Sequence, residues 1–158
     1  MLSYGSFKQT AILKHHAKSG AAFAFWKEGM TAVVHKDLMQ RSRQKMIQLK
    51  DLKDLPLIYY ERYASLLQEL FLEEGFLPHT LCINQDARTT LLWASSRLGI
   101  AIVPKSAWSL VSSEKLLVYD ILDERLTTDI VIITSKDHYR SDVSETFLTY
   151  YRNDGLNI

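Results

Sequence analysis

Residues 86–104 read DARTTLLWASSRLGIAIVP, and this stretch decides the fold class. Asp86 is a typical helix N-cap, because its carboxylate can accept the first unpaired backbone N–H groups of a helix. The apolar face of the predicted helix carries Leu91, Ala94, Ser95 and Leu98. Gly99 ends this helix, and the chain continues directly into the apolar strand 100–103, which Pro104 ends. A helix that leads at once into an apolar strand is typical of α/β proteins.

The same alternation of short strands and helices extends outward from this stretch. Predicted strands, each a short run of apolar and β-branched residues, occupy 31–35, 57–60, 80–84, 116–119 and 130–133. The helix predicted after 57–60 has its apolar face at Tyr63, Leu67, Leu70 and Phe71. Gly75 and Pro78 then stop it. A further short helix is predicted at 106–111.

The last predicted helix begins near Ser141 or Asp142, with Glu145 in position for a capping box. Its apolar face is predicted to bury Val143, Phe147, Leu148 and Tyr151. Strand–helix–strand repeats joined by short turns favour parallel pairing with right-handed crossovers. The strand 130–133 is apolar enough to be buried on both faces. The sequence therefore predicts an α/β fold.

The composition is that of a folded globular chain. With 158 residues, 47% of them hydrophobic and 23% charged, the chain can form one domain or two small lobes, and its composition excludes a disordered or collagen-like protein. Residues 1–50 carry nine Lys/Arg and two Asp/Glu, an excess that a nucleic-acid-binding module could use. The net charge of the whole chain is only +1, so a solvated basic surface is the favoured interpretation and a nucleic-acid module is an alternative.

No segment of the sequence predicts membrane insertion or secretion. The nearest candidate, 20–26 (GAAFAFW), is far shorter than the roughly 20 apolar residues of a membrane span, and no signal-peptide cleavage site follows it. The single cysteine, Cys82, cannot form an internal disulfide. These features favour a reducing, intracellular setting. We therefore expect a cytoplasmic protein without a membrane partner.

No motif in the sequence predicts an enzyme. The chain has no glycine-rich nucleotide loop, no Gly-x-Ser-x-Gly elbow and no His-Glu-x-x-His pair, and the adjacent His15 and His16 would point to different sides. Cys82 lies in the middle of a predicted strand, where a cysteine usually acts as a small hydrophobic residue. We expect no metal and no cofactor. An enzyme that uses His35, His138 or Cys82 is kept as an alternative.

Polar side chains occupy the ends of three predicted strands. In open α/β sheets, ligands bind beyond the carboxyl ends of the strands, where helix N-termini also lie. The side chains at these ends are Tyr60, Glu61 and Arg62, then Gln85, Asp86, Arg88 and Thr89, and finally Pro104, Lys105 and Ser106. Together with helix N–H groups, Arg62, Arg88 and Lys105 would suit a small anion such as a carboxylate. The alternative for each residue is an ordinary cap or surface charge.

Residues 30–152 resemble the effector-binding domain of LysR-type transcriptional regulators. The most specific stretch is 86–104, which is similar to the family's helix, turn and proline-terminated strand. Further similar stretches are 31–38 (TAVVHKDL), 49–60 (LKDLKDLPLIYY), 66–78 and 130–151. Residues 2–7 (LSYGSF) are similar to a strand and loop of the family's first lobe that read "aivrtpF". One departure is Arg97, where the family has glycine at a helix end that often needs a positive φ, a conformation that is unfavourable for arginine by about 1 kcal/mol.

The resemblance implies a fold like that of type 2 periplasmic binding proteins, with two α/β lobes and an effector bound between them. Residues 1–37 would form part of the first lobe and a hinge strand, and 38–126 would form the second lobe. Residues 127–158 would return to the first lobe and end in its C-terminal helix. The resemblance also adds Ser6 and Phe7 to the expected effector site, beside the three strand ends.

The expected function is the sensing of a small-molecule effector within a homodimeric transcription regulator. DNA would be bound only through a winged helix-turn-helix domain, which has no counterpart in these 158 residues. A solute-binding protein of a transport system is the alternative with the same fold. That alternative would require a secretion signal or a lipid anchor.

Overall fold

The computed structural model describes residues 20–39, 45–111, 113–135 and 139–153. Within it the chain divides into two compact units, and it passes between them at residues 27–28 and 127–128. Unit 2 is the continuous stretch Glu28–Thr127, and unit 1 comprises the described residues on either side of it. The resemblance implies a different boundary, with a second lobe at residues 38–126, and this boundary stays a prediction.

Unit 2 is built on a six-stranded mixed sheet. Its strands are β2 (Met30–His35), β3 (Met46–Ile47), β4 (Leu57–Tyr60), β5 (Thr80–Asn84), β6 (Ile100–Pro104) and β7 (Leu116–Ile121), in the spatial order β3-β7-β2-β6-β4-β5. The predicted parallel pairing is confirmed for β4 with β5 and with β6. It is wrong for β2, which runs antiparallel to both β6 and β7. The reason is that β2 precedes the strand–helix–strand repeats and enters the sheet between strands that follow much later.

Two helices cover opposite faces of this sheet. Helix α1 (Glu61–Glu73) follows β4, and helix α2 (Ala87–Ser95) follows β5. Alternate residues of β6 belong to two separate core clusters. Ile100 and Ile102 pack in the cluster that contains Leu67 and Phe71 of α1. Ala101 and Val103 pack in the cluster that contains Leu91 and Ala94 of α2. A strand that packs on both faces must be apolar at every position, which explains the continuous run IAIV.

Both helices end in a left-handed residue. Gly75 has φ +83°, and the N–H of Phe76 donates to the carbonyl of Phe71 across the end of α1, where the two rings also pack at 5.2 Å between centroids. Helix α2 ends earlier than predicted, so Leu98 lies beyond it and is 49% exposed rather than on its buried face. Arg97 has φ +63°, so this helix end keeps the left-handed geometry that the sequence left open.

Gly99 is required by a close approach of two backbone segments. A Cβ atom at this position would lie 2.6 Å from the carbonyl oxygen of Pro56, which accepts the N–H of Ile100 at 2.8 Å. This contact aligns the start of β6 with the start of β4. Pro104, expected to end β6, is its last residue and is register partner of Met30.

Unit 1 contains a two-stranded sheet of β1 (Gly20–Glu28) and β8 (Thr128–Ser135), followed by helix α3 (Asp142–Asn153). Strand β1 is not predicted from the sequence, in which its start is only a short apolar segment. Among the described residues this sheet has two strands, and Ile130 and Ile132 are half-buried in it rather than fully buried.

The apolar face predicted for α3 is only partly correct. Leu148 is buried, but Val143 is 79% exposed and Phe147 is half exposed, and the side chain of Tyr151 lies outside the described set. Glu145 forms no capping box: its carboxylate accepts from Arg140 Nη1 at 3.1 Å. The cap is made instead by Ser141, whose Oγ accepts the N–H of Ser144.

Candidate ligand site at the strand ends of unit 2

The sheet register brings three strand ends together at one edge. Tyr60 at the end of β4 is the register partner of Asn84 at the end of β5, and Tyr59 is the partner of Ile102 near the end of β6. We call this the strand-end edge. Because β2 is antiparallel to β6, the residues that precede β2 lie at the same edge, and so does the end of β7. The predicted positions 60–62, 85–89 and 104–106 therefore belong to one edge of one sheet.

The N-terminus of α2 is occupied by its own cap. One carboxylate oxygen of Asp86 accepts the N–H of Thr89 at 2.8 Å, and the other accepts the Thr89 hydroxyl at 2.7 Å. The N–H bond, and then the hydroxyl bond, hold the pKa of Asp86 below its usual range. Asp86 and Thr89 thus already serve as a cap, which is the alternative that the sequence analysis kept for Asp86.

The start of the 3-10 helix Lys105–Leu110 is likewise occupied by carboxylates of the chain. Lys105 Nζ donates to Asp120 Oδ2 at 2.8 Å, so the expected cation is paired with the end of β7. The N–H of Ser106 donates to Oε1 of the buried Glu28 at 2.8 Å. Pro104 is itself buried. Lys105 and Ser106 therefore direct their donors to residues of unit 2.

The remaining predicted residues are exposed at the edge. Glu61, Arg62, Gln85 and Arg88 are exposed, and within the described ranges neither arginine forms an ion pair with a carboxylate. Helix α1 starts at Tyr60 without a side-chain cap, and the Tyr60 ring packs edge-on against Tyr63 at 5.7 Å. Ser6 and Phe7 lie outside the described residues. Whether any of these residues binds an effector stays a prediction.

Asn84 is a polar residue of this edge that the sequence analysis missed. It is only 9% exposed, and its Nδ2 is the one buried side-chain nitrogen or oxygen of the described residues that has no hydrogen-bond partner. Its Oδ1 accepts from the thiol of Cys82 at 3.4 Å, so this half-buried cysteine is a weak donor as well as a small apolar residue. The available signal was an asparagine at the end of an otherwise apolar strand.

The residues kept for alternative functions have structural roles where they are described. His35 is buried, and its Nδ1 accepts the N–H of Asp37 at 3.2 Å, so the turn after β2 holds the ring. His138 lies outside the described residues. The described part of the chain contains no group of three His, Cys, Asp or Glu side chains that could hold a metal ion. No helix within the described residues has the length and apolar character that a membrane crossing needs.

Several known proteins are similar to this chain. The model of the LysR substrate binding domain family matches residues 12–155. A curated relative, the uncharacterized HTH-type transcriptional regulator YwbI of Bacillus subtilis (strain 168), is 27% identical over 135 residues, which cover 84% of this chain and 44% of that protein. The chain thus spans about half the length of the curated relative that it matches.

Solved structures of effector-binding domains and whole regulators share the fold. CbnR, a LysR family transcriptional regulator, matches with a TM-score of 0.70 at 19% identity, over 89% of this chain and 49% of that chain. The CcmR regulatory domain of Synechocystis PCC6803 in complex with 2-PG matches with a TM-score of 0.72 at 14% identity, over 89% of this chain and 69% of that chain. The effector binding domain of QuiR in complex with shikimate matches with a TM-score of 0.67 at 20% identity, over 98% of this chain and 78% of that chain.

These likenesses support the fold class expected from the sequence, an α/β fold like that of type 2 periplasmic binding proteins. The family match covers most of the chain, and the curated relative is named as a regulator rather than as an enzyme. The chain belongs to the LysR substrate binding domain family.

Proposed function

We propose that this chain is the ligand-sensing domain of a LysR-type transcription regulator and binds a small-molecule effector. The observation that carries the proposal is the family match over residues 12–155. The strand-end edge supports it, because it gathers Arg62, Arg88 and Asn84 where ligands of open α/β sheets bind. Two structural neighbours, from QuiR and CcmR, are named as complexes with shikimate and with 2-PG, which are small molecules of the expected kind.

In this proposal the effector acts by changing the populations of two conformations. A ligand shifts such an equilibrium only as far as its affinities for the two conformations differ. In the intact regulator, which would be a cytoplasmic homodimer, the favoured conformation would alter how a winged helix-turn-helix domain binds DNA. The structural neighbours include CbnR complexed with its target DNA, which is consistent with this role for a longer protein.

The test is thermal unfolding of the purified chain against a library of small carboxylates, amino acids and aromatic metabolites that includes shikimate and 2-PG. An effector present at about a hundred times its Kd adds about 2.7 kcal/mol to the free energy of unfolding, and this raises the Tm by roughly 5–10 °C. A rise produced by one chemical class and not by its analogues supports the proposal. A cooperative transition that no compound moves contradicts it.

A second measurement separates regulation from transport. The naming of the curated relative as a transcriptional regulator favours regulation. A solute-binding protein would also bind a small molecule, so binding alone does not distinguish the two roles. Fractionation of native cells does, because recovery of the native protein outside the cytoplasm would support transport and contradict the proposed role.

A further inference from the structure

The amide of Asn84 is a hydrogen-bond donor that the fold leaves without an intramolecular partner. Its Nδ2 is buried and unpaired, whereas buried polar groups in folded proteins are nearly always hydrogen-bonded. An unpaired buried donor destabilises the folded state, because it has lost its bonds to water and gained none. Such a group therefore calls for a physical explanation, and a ligand that supplies the acceptor is one.

The position of Asn84 connects it to the proposed effector site. It is the last residue of β5 and the register partner of Tyr60, from which α1 starts without a side-chain cap. Paired residues in a parallel ladder place their side chains on the same face of the sheet. The amide therefore lies on the strand-end edge itself, on the same face as the tyrosine that precedes α1.

Several other donors of the edge are taken by carboxylates of the chain, whereas the Asn84 amide is not. Asp86 accepts from Thr89, Glu28 accepts from the N–H of Ser106, and Asp120 accepts from Lys105. The Asn84 amide, by contrast, has only the weak bond from the Cys82 thiol to its Oδ1. Because the terminal torsion of asparagine is broad, the amide can turn its Nδ2 toward the edge at little cost.

The burial of Asn84 indicates the kind of acceptor that it would meet. Because Asn84 is only 9% exposed, an acceptor that reaches its amide loses most of its hydration. This loss costs an anion far more than a neutral polar group. A neutral oxygen, such as a hydroxyl or a carbonyl, therefore suits this donor better than a carboxylate does.

We infer that Asn84 is a specificity-determining residue of the effector site and donates through Nδ2 to a neutral hydroxyl or carbonyl oxygen of the effector. This inference rests on the proposed function. Any carboxylate of the same effector would be bound by Arg62 and Arg88, the exposed arginines of the edge. The chemical class of effector is thus a small hydroxylated or carbonyl-bearing molecule rather than a simple carboxylate.

The experiment compares Asn84→Leu and Asn84→Val with Gln68→Leu, a control that makes the same kind of change on the exposed face of α1. Leucine has the same side-chain branching as asparagine but more volume, and valine is the smaller alternative and suits a strand. Each chain is titrated with shikimate and quinate, which carry hydroxyls, and with cyclohexanecarboxylate, which carries none. We expect wild type and Gln68→Leu to bind a hydroxylated acid, and the Asn84 variants to bind it about tenfold to a hundredfold more weakly.

The thermal unfolding of the same variants gives a readout that needs no ligand. Removing an unpaired donor should leave the Tm of Asn84→Leu or Asn84→Val at or above that of wild type. A fall in the Tm of both variants would show that the amide is structural and would overturn the inference. Equal binding of cyclohexanecarboxylate, no binding of either hydroxylated acid, or unchanged affinity in the Asn84 variants would also overturn it. The proposed function fails separately, when no compound of the wider library raises the Tm of wild type.

Discussion

Arg97 Nη2 lies 3.0 Å from Asp37 Oδ2, and this ion pair links the end of α2 to the turn that follows β2. The N–H of Arg97 donates to the carbonyl of Ala94, and the N–H of Leu98 donates to the carbonyl of Trp93. This pair of hydrogen bonds is typical of a helix that ends in a left-handed residue. The backbone thus adopts a conformation that suits glycine, while the side chain makes a contact that glycine could not make.

Replacing Arg97 should separate these two contributions. In an Asp37→Asn background, where the ion pair is already lost, Arg97→Gly should raise the free energy of unfolding by about 0.5–1 kcal/mol, because glycine adopts a positive φ without strain. In the wild-type background the gain should be smaller by the value of the ion pair, which is below about 1 kcal/mol for an exposed pair. Urea unfolding of the four chains measures both quantities. A loss of stability in the Asp37→Asn background would contradict the strain at Arg97.

Gly99 should not tolerate a methyl group. Its Cβ would lie 2.6 Å from the backbone oxygen of Pro56, so Gly99→Ala must displace the start of β4 or β6 and should cost about 1–3 kcal/mol. The matched control is Gly29→Ala, since a Cβ there meets nothing within 4 Å and should change stability by less than about 0.5 kcal/mol. Equal effects in urea unfolding would show that the close approach to Pro56 does not matter.

The Asp86 cap should make stability depend on acidic pH. Its pKa is held low in the folded state, chiefly by the Thr89 N–H, so its contribution is complete above the unfolded pKa of about 4 and is lost as the pH falls through the lower folded pKa. Asp86→Ala should therefore be less stable than wild type at pH 7, and this difference should shrink below about pH 4. Glu114→Gln, at an exposed turn residue, is the control for loss of a carboxylate.

Tyr59 should produce the opposite dependence at alkaline pH. Burial raises its pKa to about 12, although the Thr80 hydroxyl donates to its oxygen at 3.2 Å and opposes this shift. The folded state therefore holds the proton longer than the unfolded state, and stability should fall by about 2–3 kcal/mol as the pH rises from about 10 to 12. Tyr59→Phe should lack this loss, at a cost of about 0.5–1.5 kcal/mol at neutral pH for the missing hydrogen bond. Parallel curves for both chains would contradict the assignment.

Arg88 and Thr89 are adjacent, but their substitutions should have different effects. Thr89→Val removes the hydroxyl that donates to Asp86, so it should lower stability. Arg88→Ala should change stability by less than about 0.5 kcal/mol, because the side chain is exposed and unpaired among the described residues. If the effector carries a carboxylate, Arg88→Ala should weaken its binding by about tenfold or more. Calorimetric titration together with Tm measurement distinguishes the two effects.

The strands and helices between residues 57 and 104 could be predicted because their signals are local. Strand β4, helix α1, its stop at Gly75 and the cap at Asp86 each depend on residues a few positions apart. The pairing of β2 with β6 could not be predicted in this way, because the partners Thr31 and Val103 are far apart in sequence. The apolar pattern of a strand does not indicate which other strand it pairs with.

The same difference in range explains what was predicted of the candidate site. The general rule for strand ends identified the edge, and the structure brings positions 60–62, 85–89 and 104–106 to it. Sequence spacing could not show that donors of this edge are already hydrogen-bonded within the chain. Glu28 and Ser106, which form one of these bonds, are 78 positions apart, and Asp120 and Lys105 are 15 apart. Asn84 was missed for the same reason, since only the packed structure shows that its amide has no partner.

The order of segments along the chain affects how the protein is made. The ribosome delivers β1 first, then the whole of unit 2, and β8 only afterwards. Unit 2 can therefore assemble its sheet before β8 is made, which is the strand that pairs with the run GAAFAFW of β1 in the described part of the chain. An unpaired apolar strand is a template for association between chains. Slower synthesis of unit 2 would lengthen this exposure and would lower the yield of native protein.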